Sequence, residues 1–411
     1  MATKAPMDAV QLAPCRQRFP ALQAAPVHGI DVFADNSSRS QMPDVTLAAI
    51  HEQLVAGETH RGGQPDWDSP RAAQMAALRD RARDVAAQFC GGQASQIGFA
   101  ANGTSTLAIL ARALFPGVLG PGDTVVITEA DHESNRSPWQ SLARLGCHIV
   151  DVPVAPDGSL DRRAWEAALA LRPKVVALCM ISNVTGVVLP HERLAREAHA
   201  AGSIVVLDAV QGPPHGVVDV MSHGADVAIF SNCKLFSPHL GWWAATEAVL
   251  DRMGLVPAVG SHPDLEWGTL PHAAYAGFVA THGYFLGLSP SGLLSESMDT
   301  VRGHEASLTR RFLAQLPASF RDSLLAAETS HARVPIFSLA LPRSQWARVR
   351  SAFTAARIDV RIGQFGTPAT LKRLARWADD TALRLSFVHY NSPEDVDAVC
   401  EVLASIQASR A

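Results

Sequence analysis

Two stretches set the architecture: Ser203–Asp208, SIVVLD, and Ala225–Lys234, ADVAIFSNCK. Each is a short apolar, β-branched run that ends on polar groups, the first on Asp208, the second on Ser231 with Asn232, Cys233 and Lys234 just beyond. Such runs read as strands buried on both faces, the pattern of a parallel sheet. Ligands bind beyond the carboxyl ends of strands in such a sheet, so Asp208 and Lys234 are expected to face one crevice. A structural ion pair and a surface lysine is the competing reading, and spacing alone weighs the two equally.

Outward from this pair the pattern repeats. Apolar runs occur at Thr124–Thr128, His148–Val154 and Val175–Ile181, and a further strand is read at Ile97–Ala100. Helix patterns at Thr104–Leu114, Ser134–Leu145, Asp161–Leu171 and His191–Ala201 lie between them. A strand about every 25 residues with a helix between is the signature of βα units. Residues 41–290 therefore read as a large α/β domain with a mostly parallel sheet. After Gly287 the pattern changes. A breaker cluster at Ser289–Gly292 precedes a long helix at Leu293–Leu316, then strands at Val334–Leu341 and Ala382–Val388 beside helices at Ser344–Ala356 and Pro368–Trp377. Residues 291–411 read as a smaller α+β C-terminal domain, and residues 1–40 as a segment packing across both.

Composition excludes several classes. The 411 residues carry a formal net charge of −4 with 47% hydrophobic content, which suits a globular chain. There is no basic run to neutralise phosphates, so nucleic acid is not expected as a partner. The six cysteines form no CxxC and no regular framework, which fits a reduced cytoplasmic compartment. Lys4, Asp8, Arg16 and Arg18 interrupt the first twenty residues, so no signal peptide is expected. No window approaches the roughly 18 apolar residues that would span a membrane. GxGxxG, GxxxxGK[ST] and GxSxG are all absent. His51–Glu52, His132–Glu133, His191–Glu192 and His304–Glu305 are HE pairs without the second histidine of HExxH, and no metal ligands are assigned.

Of the 35 cationic side chains only four are lysines: Lys4, Lys174, Lys234 and Lys372. Lys234 alone lies just past the end of a buried strand beside an acid at the end of its neighbour. Asn102–Thr106, NGTST, follows the Ile97–Ala100 strand and opens a helix, gathering N–H groups and hydroxyls where a phosphate binds. An ordinary N-cap is the simpler reading of that segment. A lysine for a carbonyl, a carboxylate for a pyridine nitrogen and a helix terminus for a phosphate together suit pyridoxal 5′-phosphate (PLP).

Eight blocks in order then resemble one family. They are Ala34–Pro43 (ADNSSRSQMP), Ala100–Thr106 (AANGTST), Asp131–Gln140 (DHESNRSPWQ), Ile181–Val187 (ISNVTGV), Leu207–His215 (LDAVQGPPH), Ser231–Gly241 (SNCKLFSPHLG), Glu266–Leu270 (EWGTL) and Arg384–Asn391 (RLSFVHYN). The chain resembles fold-type I PLP enzymes of the class V aminotransferase group, in the cysteine desulfurase and selenocysteine lyase-like branch. The resemblance implies a mostly parallel seven-stranded sheet sandwiched by helices and a homodimer with a shared active site. It implies that Lys234 bonds the cofactor aldehyde and Asp208 pairs with the pyridine nitrogen. Gln211 would lie near the phenolic oxygen, His132 on the ring face and Asn183 near ring or substrate. Gly103, Thr104, Ser105 and Ser231 would hold the phosphate, with Thr269 reaching in from the partner subunit. Arg384 would grip the substrate carboxylate, with Arg361 in reserve and Arg61 nearby.

One position departs from the family. Desulfurases of this group carry a nucleophilic cysteine shortly after a VRxG-like segment. Here that segment reads Val360–Pro368, VRIGQFGTP, with Gly366 where the thiol would fall. The expectation is therefore a PLP-dependent lyase that cleaves a C–S bond of an S-substituted cysteine by proton abstraction and β-elimination. Aminotransferase, epimerase or decarboxylase chemistry on a specialised amino acid remains open, with Trp67, Trp242, Trp243 and Trp267 shaping a roomy pocket. So does desulfuration through an atypical thiol such as Cys233. Substrate choice is expected to lie in the loops 61–64, 262–267 and 364–368.

Overall fold

A computed structural model describes residues 15–59, 69–253, 266, 270–375 and 380–408. Its centre is a seven-stranded sheet built from β1 (Ile97–Ala100), β2 (Thr124–Thr128), β3 (His148–Val152), β4 (Val175–Cys179), β5 (Ile204–Asp208), β6 (Val227–Ser231) and β7 (Gly241–Ala245). The order across the sheet is β1-β7-β6-β5-β4-β2-β3, with β7 antiparallel to both neighbours and the rest parallel. The helices nearest this sheet are α1 (Asp44–Val55), α2 (Pro70–Cys90), α3 (Gly103–Gly117), α4 (Arg162–Ala170), α5 (His191–Ala200) and α6 (His272–Leu286).

The alternation of side chains explains why these strands are apolar throughout. Val125, Ile127, Val175, Ala177, Val206 and Ile229 point into one core, which Leu107, Leu110 and Leu114 of α3 complete. Their sequence neighbours Val126, Val176, Leu178, Val205, Leu207 and Phe230 enter the other, with Leu194 and Ala198 of α5 and Phe278 of α6. Period two with both faces covered leaves no polar face to a strand. This is the sandwiched sheet expected from the sequence.

Several boundaries differ. The run His148–Val154 ends as a strand at Val152, because Pro153 has no N–H to give the ladder. The helix expected at Ser134–Leu145 is broken into a 3₁₀ turn at Glu133–Asn135, a short helix at Ser137–Ser141 and a second 3₁₀ turn at Leu142–Leu145. Pro138 occupies the first turn of the middle piece, where its missing N–H is tolerated, and so restarts the helix. β7 was not read from the sequence at all. Its Trp242 and Trp243 were expected to shape a ligand pocket, but both are fully buried. Trp242 stacks on Phe230 at 3.7 Å between centroids, and a Cβ at Gly98 would lie 2.1 Å from the Trp243 ring. These tryptophans are core, and Trp67 and Trp267 lie outside the described residues.

The C-terminal residues form a three-stranded antiparallel sheet from β8 (Ile336–Ala340), β9 (Arg361–Gly363) and β10 (Ala382–Ser386), in the order β9-β10-β8. It packs with α7 (Leu294–Gln315), α8 (Trp346–Ala355) and α10 (Pro393–Ala408) around Phe312, Phe337, Val349, Leu385 and Val399; α9 is Pro368–Leu374. Val32 and Ala34 join this second core, whereas Cys15, Phe19 and Leu22 join the core beneath the large sheet.

Candidate active site

The carboxyl ends of β4, β5 and β6 open into a cavity of about 490 Å³. Cys179, Asp208 and Ser231, the last residues of those strands, line it with Gly103, Thr104, His132, Asn183, Gln211, Cys233, Lys234, Arg361 and Arg384. Most of the residues expected from the sequence therefore meet in one place. Ser105 does not line the cavity; its N–H is turned back to cap the helix on Asn102 Oδ1 at 2.9 Å. Thr269 and Arg61, with the loops 61–64 and 262–265, lie outside the described residues.

The floor comes from the sheet. Asp208 is buried, and the only described hydrogen bond to its carboxylate comes from the Val210 N–H at 3.0 Å. Burial pushes its carboxyl up to about 6, against the pull of that N–H and of Lys234. Lys234 sits in the turn after β6 and donates to the Ser38 carbonyl. That turn is fixed from outside: Ser40 Oγ donates to the Lys234 carbonyl at 2.9 Å and accepts from the Phe236 N–H at 2.8 Å. Phe236 itself has φ +56°, a left-handed conformation costly for a bulky side chain. Its ring is held among Phe19, Phe285, His389 and Tyr390, which over-determines the strained backbone.

α3 begins at the same edge. Gly103 approaches so closely that a Cβ there would meet the Phe230 carbonyl and Ser231 Cβ at 3.4 Å. Gly241, at the start of β7, allows still less, since a Cβ would lie 2.2 Å from the Asn102 carbonyl carbon. The helix N-terminus is thus pressed against the ends of β6 and β7.

His132 forms one wall. Its Nδ1 accepts from the Ser134 N–H at 3.1 Å, so the neutral ring carries its proton on Nε2. Burial, then the charges of Lys234 and Arg384, hold the imidazole down to about 4, so it is neutral at physiological pH. Beneath it, Asp131 is fully buried, and desolvation raises its carboxyl to about 8 although Thr128 and Asn135 both donate to it.

The roof comes from distant segments. Arg384 on β10 is 2% exposed and ion-pairs with Asp35 at 2.8 Å, donates to Ser38 Oγ and to the Asn183 carbonyl, and stacks 4.4 Å from the Phe365 ring centroid. Its Nε has no hydrogen-bond partner among the described residues. Burial lowers its pKa and Asp35 opposes that. Arg361, opposite Arg384 on β9, is exposed and donates to Ser38 Oγ at 3.0 Å. Asn183 pins the loop below by donating to the Phe365 carbonyl and accepting from Thr367 Oγ1. In that loop Gly366 has φ +67°, and a Cβ there would lie 2.1 Å from His132 Nε2.

Sequence reasoning did not name Ser37, Ser38, Phe365 or His239 as site residues, yet all line the cavity. The only available signal was their place inside or beside the resembling blocks. Asp35, which neutralises Arg384, was equally silent.

The residues present fit the cofactor that the fold implies. Among the described residues Gln211 Oε1 is buried without a partner and Asp208 has spare acceptor capacity, and a helix N-terminus and a lysine face the same space. A seven-stranded sheet carrying this edge cavity is fold type I of the PLP-dependent transferases. The chain belongs to the aminotransferase class-V family, whose model matches residues 32–399; the family is PLP-dependent. It is 33% identical over 58% of its length to a probable cysteine desulfurase of Vibrio cholerae, a match spanning 59% of that protein. It is 28% identical to the aminotransferase-like protein FGM3 of Gibberella zeae, over 95% of this chain and 97% of that one. The apo structure of a cysteine desulfurase from Thermococcus onnurineus superposes with a TM-score of 0.81 at 22% identity, covering 99% of this chain and all of that one.

Among the described residues no helix is long and apolar enough to cross a membrane.

Proposed function

We propose that this chain is a PLP-dependent lyase that cleaves the C–S bond of an S-substituted cysteine without a protein thiol. The supporting observation is at Gly366, where the family's desulfurases place their cysteine. The His132 ring fills the space a side chain would need, and the backbone is left-handed. Cys179, which also lines the cavity, is held in its thiol form, because burial raises its pKa well above the usual value and Asp131 and Asp208 add to that. A sulfur-accepting thiolate therefore has no place at either position, which leaves Cys233, beside Lys234 in the cavity lining, as the thiol on which the alternative desulfurase reading would rest.

PLP, when bound, supplies an electron sink for the pair left behind when an amino acid loses its α-proton. Lys234 is the base for that proton, held at the cavity floor by its turn. Asp208 would hold the proton of the cofactor's ring nitrogen, since a cationic partner favours the ionised carboxylate. Gly103 and Thr104 offer the phosphate the α3 N-terminus, beside Ser231. The neutral His132, on the cavity wall, would lie against the bound cofactor and keep water from it. Arg384 presents its free Nε–H to the substrate carboxylate, and Arg361 adds a second guanidinium at the mouth. Breaking the Cβ–S bond sends its electron pair to sulfur, which takes up a proton and leaves as a thiol, while the pair from the lost α-proton becomes the Cα–Cβ double bond; the released 2-aminoacrylate then takes up one water to give pyruvate and ammonia. The reading also includes a homodimer, with Thr269 completing the partner's phosphate site, and a cytoplasmic location.

Purified holoenzyme incubated with a panel of cysteine S-conjugates should release pyruvate and thiol in equal amounts; the absence of both overturns the lyase reading. The full-length similarity to an aminotransferase-like protein supports a second reading, transamination or epimerisation. In deuterated water, α-proton exchange or inversion without thiol release would favour it.

A further inference from the structure

Of the four HE pairs in the sequence, one gains from the fold the histidine it lacks. His191, the first residue of α5, and Glu192 lie against His223, the last residue of the 3₁₀ turn Val220–His223. One ligand atom from each of the three lies within 4.8 Å of the other two. We propose that His191, Glu192 and His223 form a binding site for a divalent transition metal of the zinc type.

The geometry of His191 is that of a metal ligand. Its Nδ1 lies 3.0 Å from the Leu189 carbonyl, which only accepts, so Nδ1 carries the proton and Nε2 the lone pair. A carbonyl on the far nitrogen is the partner that orients metal-bound imidazoles. Leu189 is fixed in turn, its N–H donating to the Met180 carbonyl at 3.0 Å. His191 Nε2 accepts a hydrogen bond from His223 Nδ1 at 3.1 Å, and an ion bound between the two nitrogens would displace that proton. Two nitrogens bound to a tetrahedral zinc at about 2.0–2.1 Å lie about 3.3–3.4 Å apart. Ring movements of a few tenths of an ångström would therefore admit an ion between them. Glu192 Oε1 is 3.9 Å from the other ring nitrogen, His223 Nε2, and its side chain, 57% exposed, would have to swing to the Nδ1 side to reach the ion. Two imidazoles and one carboxylate suit zinc better than magnesium or calcium, which prefer oxygen ligands. A water would complete the tetrahedron.

None of the three residues lines the cavity, so the ion would act as a clamp. It would join the start of α5 to the turn that leads into β6. That turn is tied to α2 through the Asp219 N–H and the Phe89 carbonyl.

The test uses tag-free holoenzyme cleared of metal with a chelator. Zinc chloride is titrated by calorimetry and cobalt chloride by visible absorbance, on wild type, His223→Gln and Glu192→Gln. The expected result is one equivalent per chain, a tetrahedral cobalt band and a zinc-dependent rise in melting temperature. His223→Gln should lose all three, and Glu192→Gln should bind at least about tenfold more weakly. Both variants should keep the wild-type cofactor absorbance and turnover, so a failure of the lyase reading leaves this test untouched. If His223→Gln folds poorly, the exposed Glu192→Gln decides. Binding only at millimolar zinc, or a tight equivalent that survives both substitutions, overturns the proposal.

Discussion

The floor and the roof of the cavity are built on opposite plans. On the floor, Asp208 and Lys234 stand at adjacent strand ends, and Asp208 and Gln211 keep unused hydrogen-bonding capacity. In the roof, Arg384 is consumed by Asp35, Ser38, the Asn183 carbonyl and the Phe365 ring, with one N–H left over. Groups with spare valence are costly to bury and persist where a ligand completes them. Saturated groups hold a shape. On the proposed reading the floor carries the chemistry, and the roof positions the substrate and closes the space above it.

Substitutions should separate the two. The largest effect belongs to the floor: Lys234→Ala should remove turnover by about 10⁴-fold or more, and with it the visible cofactor band, while the melting temperature of the apo protein stays near wild type. Loss of folding instead would mean that the lysine is structural. In the roof, Asp35→Asn leaves the Arg384 charge buried and unpaired, and should cost about 3–5 kcal/mol in denaturant unfolding. A negligible change would show that Arg384 is already stabilised by its neutral partners.

Next in size is a pH effect. The Asp208 carboxyl is raised to about 6 in the folded apo protein, so the folded state binds more protons than the unfolded one between roughly pH 4 and 6. Its contribution to apo stability is full below the unfolded pKa and is lost as pH rises through about 6. His132, held down to about 4, contributes in the opposite sense over about pH 4 to 6.5. The comparison must therefore be between wild type and Asp208→Asn, whose stabilities should diverge by about 2–3 kcal/mol in favour of the variant as pH rises across that window. Parallel curves would place the Asp208 pKa near its ordinary value. The smallest effect concerns the join between floor wall and roof. Gly366→Ala should cost about 1–3 kcal/mol, from the left-handed backbone and the His132 contact, and should reduce turnover by displacing that ring. An unchanged melting temperature would mean that the loop yields.

The same contrast explains what was legible in the chain. The strands Ile204–Asp208 and Val227–Ser231 lie inside the stretches Ser203–Asp208 and Ala225–Lys234 and end on the polar residues expected, Asp208 and Ser231, because a strand covered on both faces has to be apolar along its length. β7 escaped notice because two tryptophans and a glycine resemble a ligand pocket as much as a strand. Only its insertion between β1 and β6, with Trp243 over Gly98, makes them core. Arg384 was picked out as a binder of carboxylates, yet nothing in its surroundings announced Asp35, 349 positions away.

Sequence alone determined the α/β sheet and the lysine and acid at its edge, since these depend on local periodicity and on residue type, and the family resemblance marked Gly366 as the position where relatives carry a thiol. The tertiary structure decided what each of them touches. It set His132 against Gly366, Asp35 on Arg384 and His223 beside the His191–Glu192 pair. Such contacts join segments far apart in the chain, and they are set by packing geometry, which leaves no period or spacing to read.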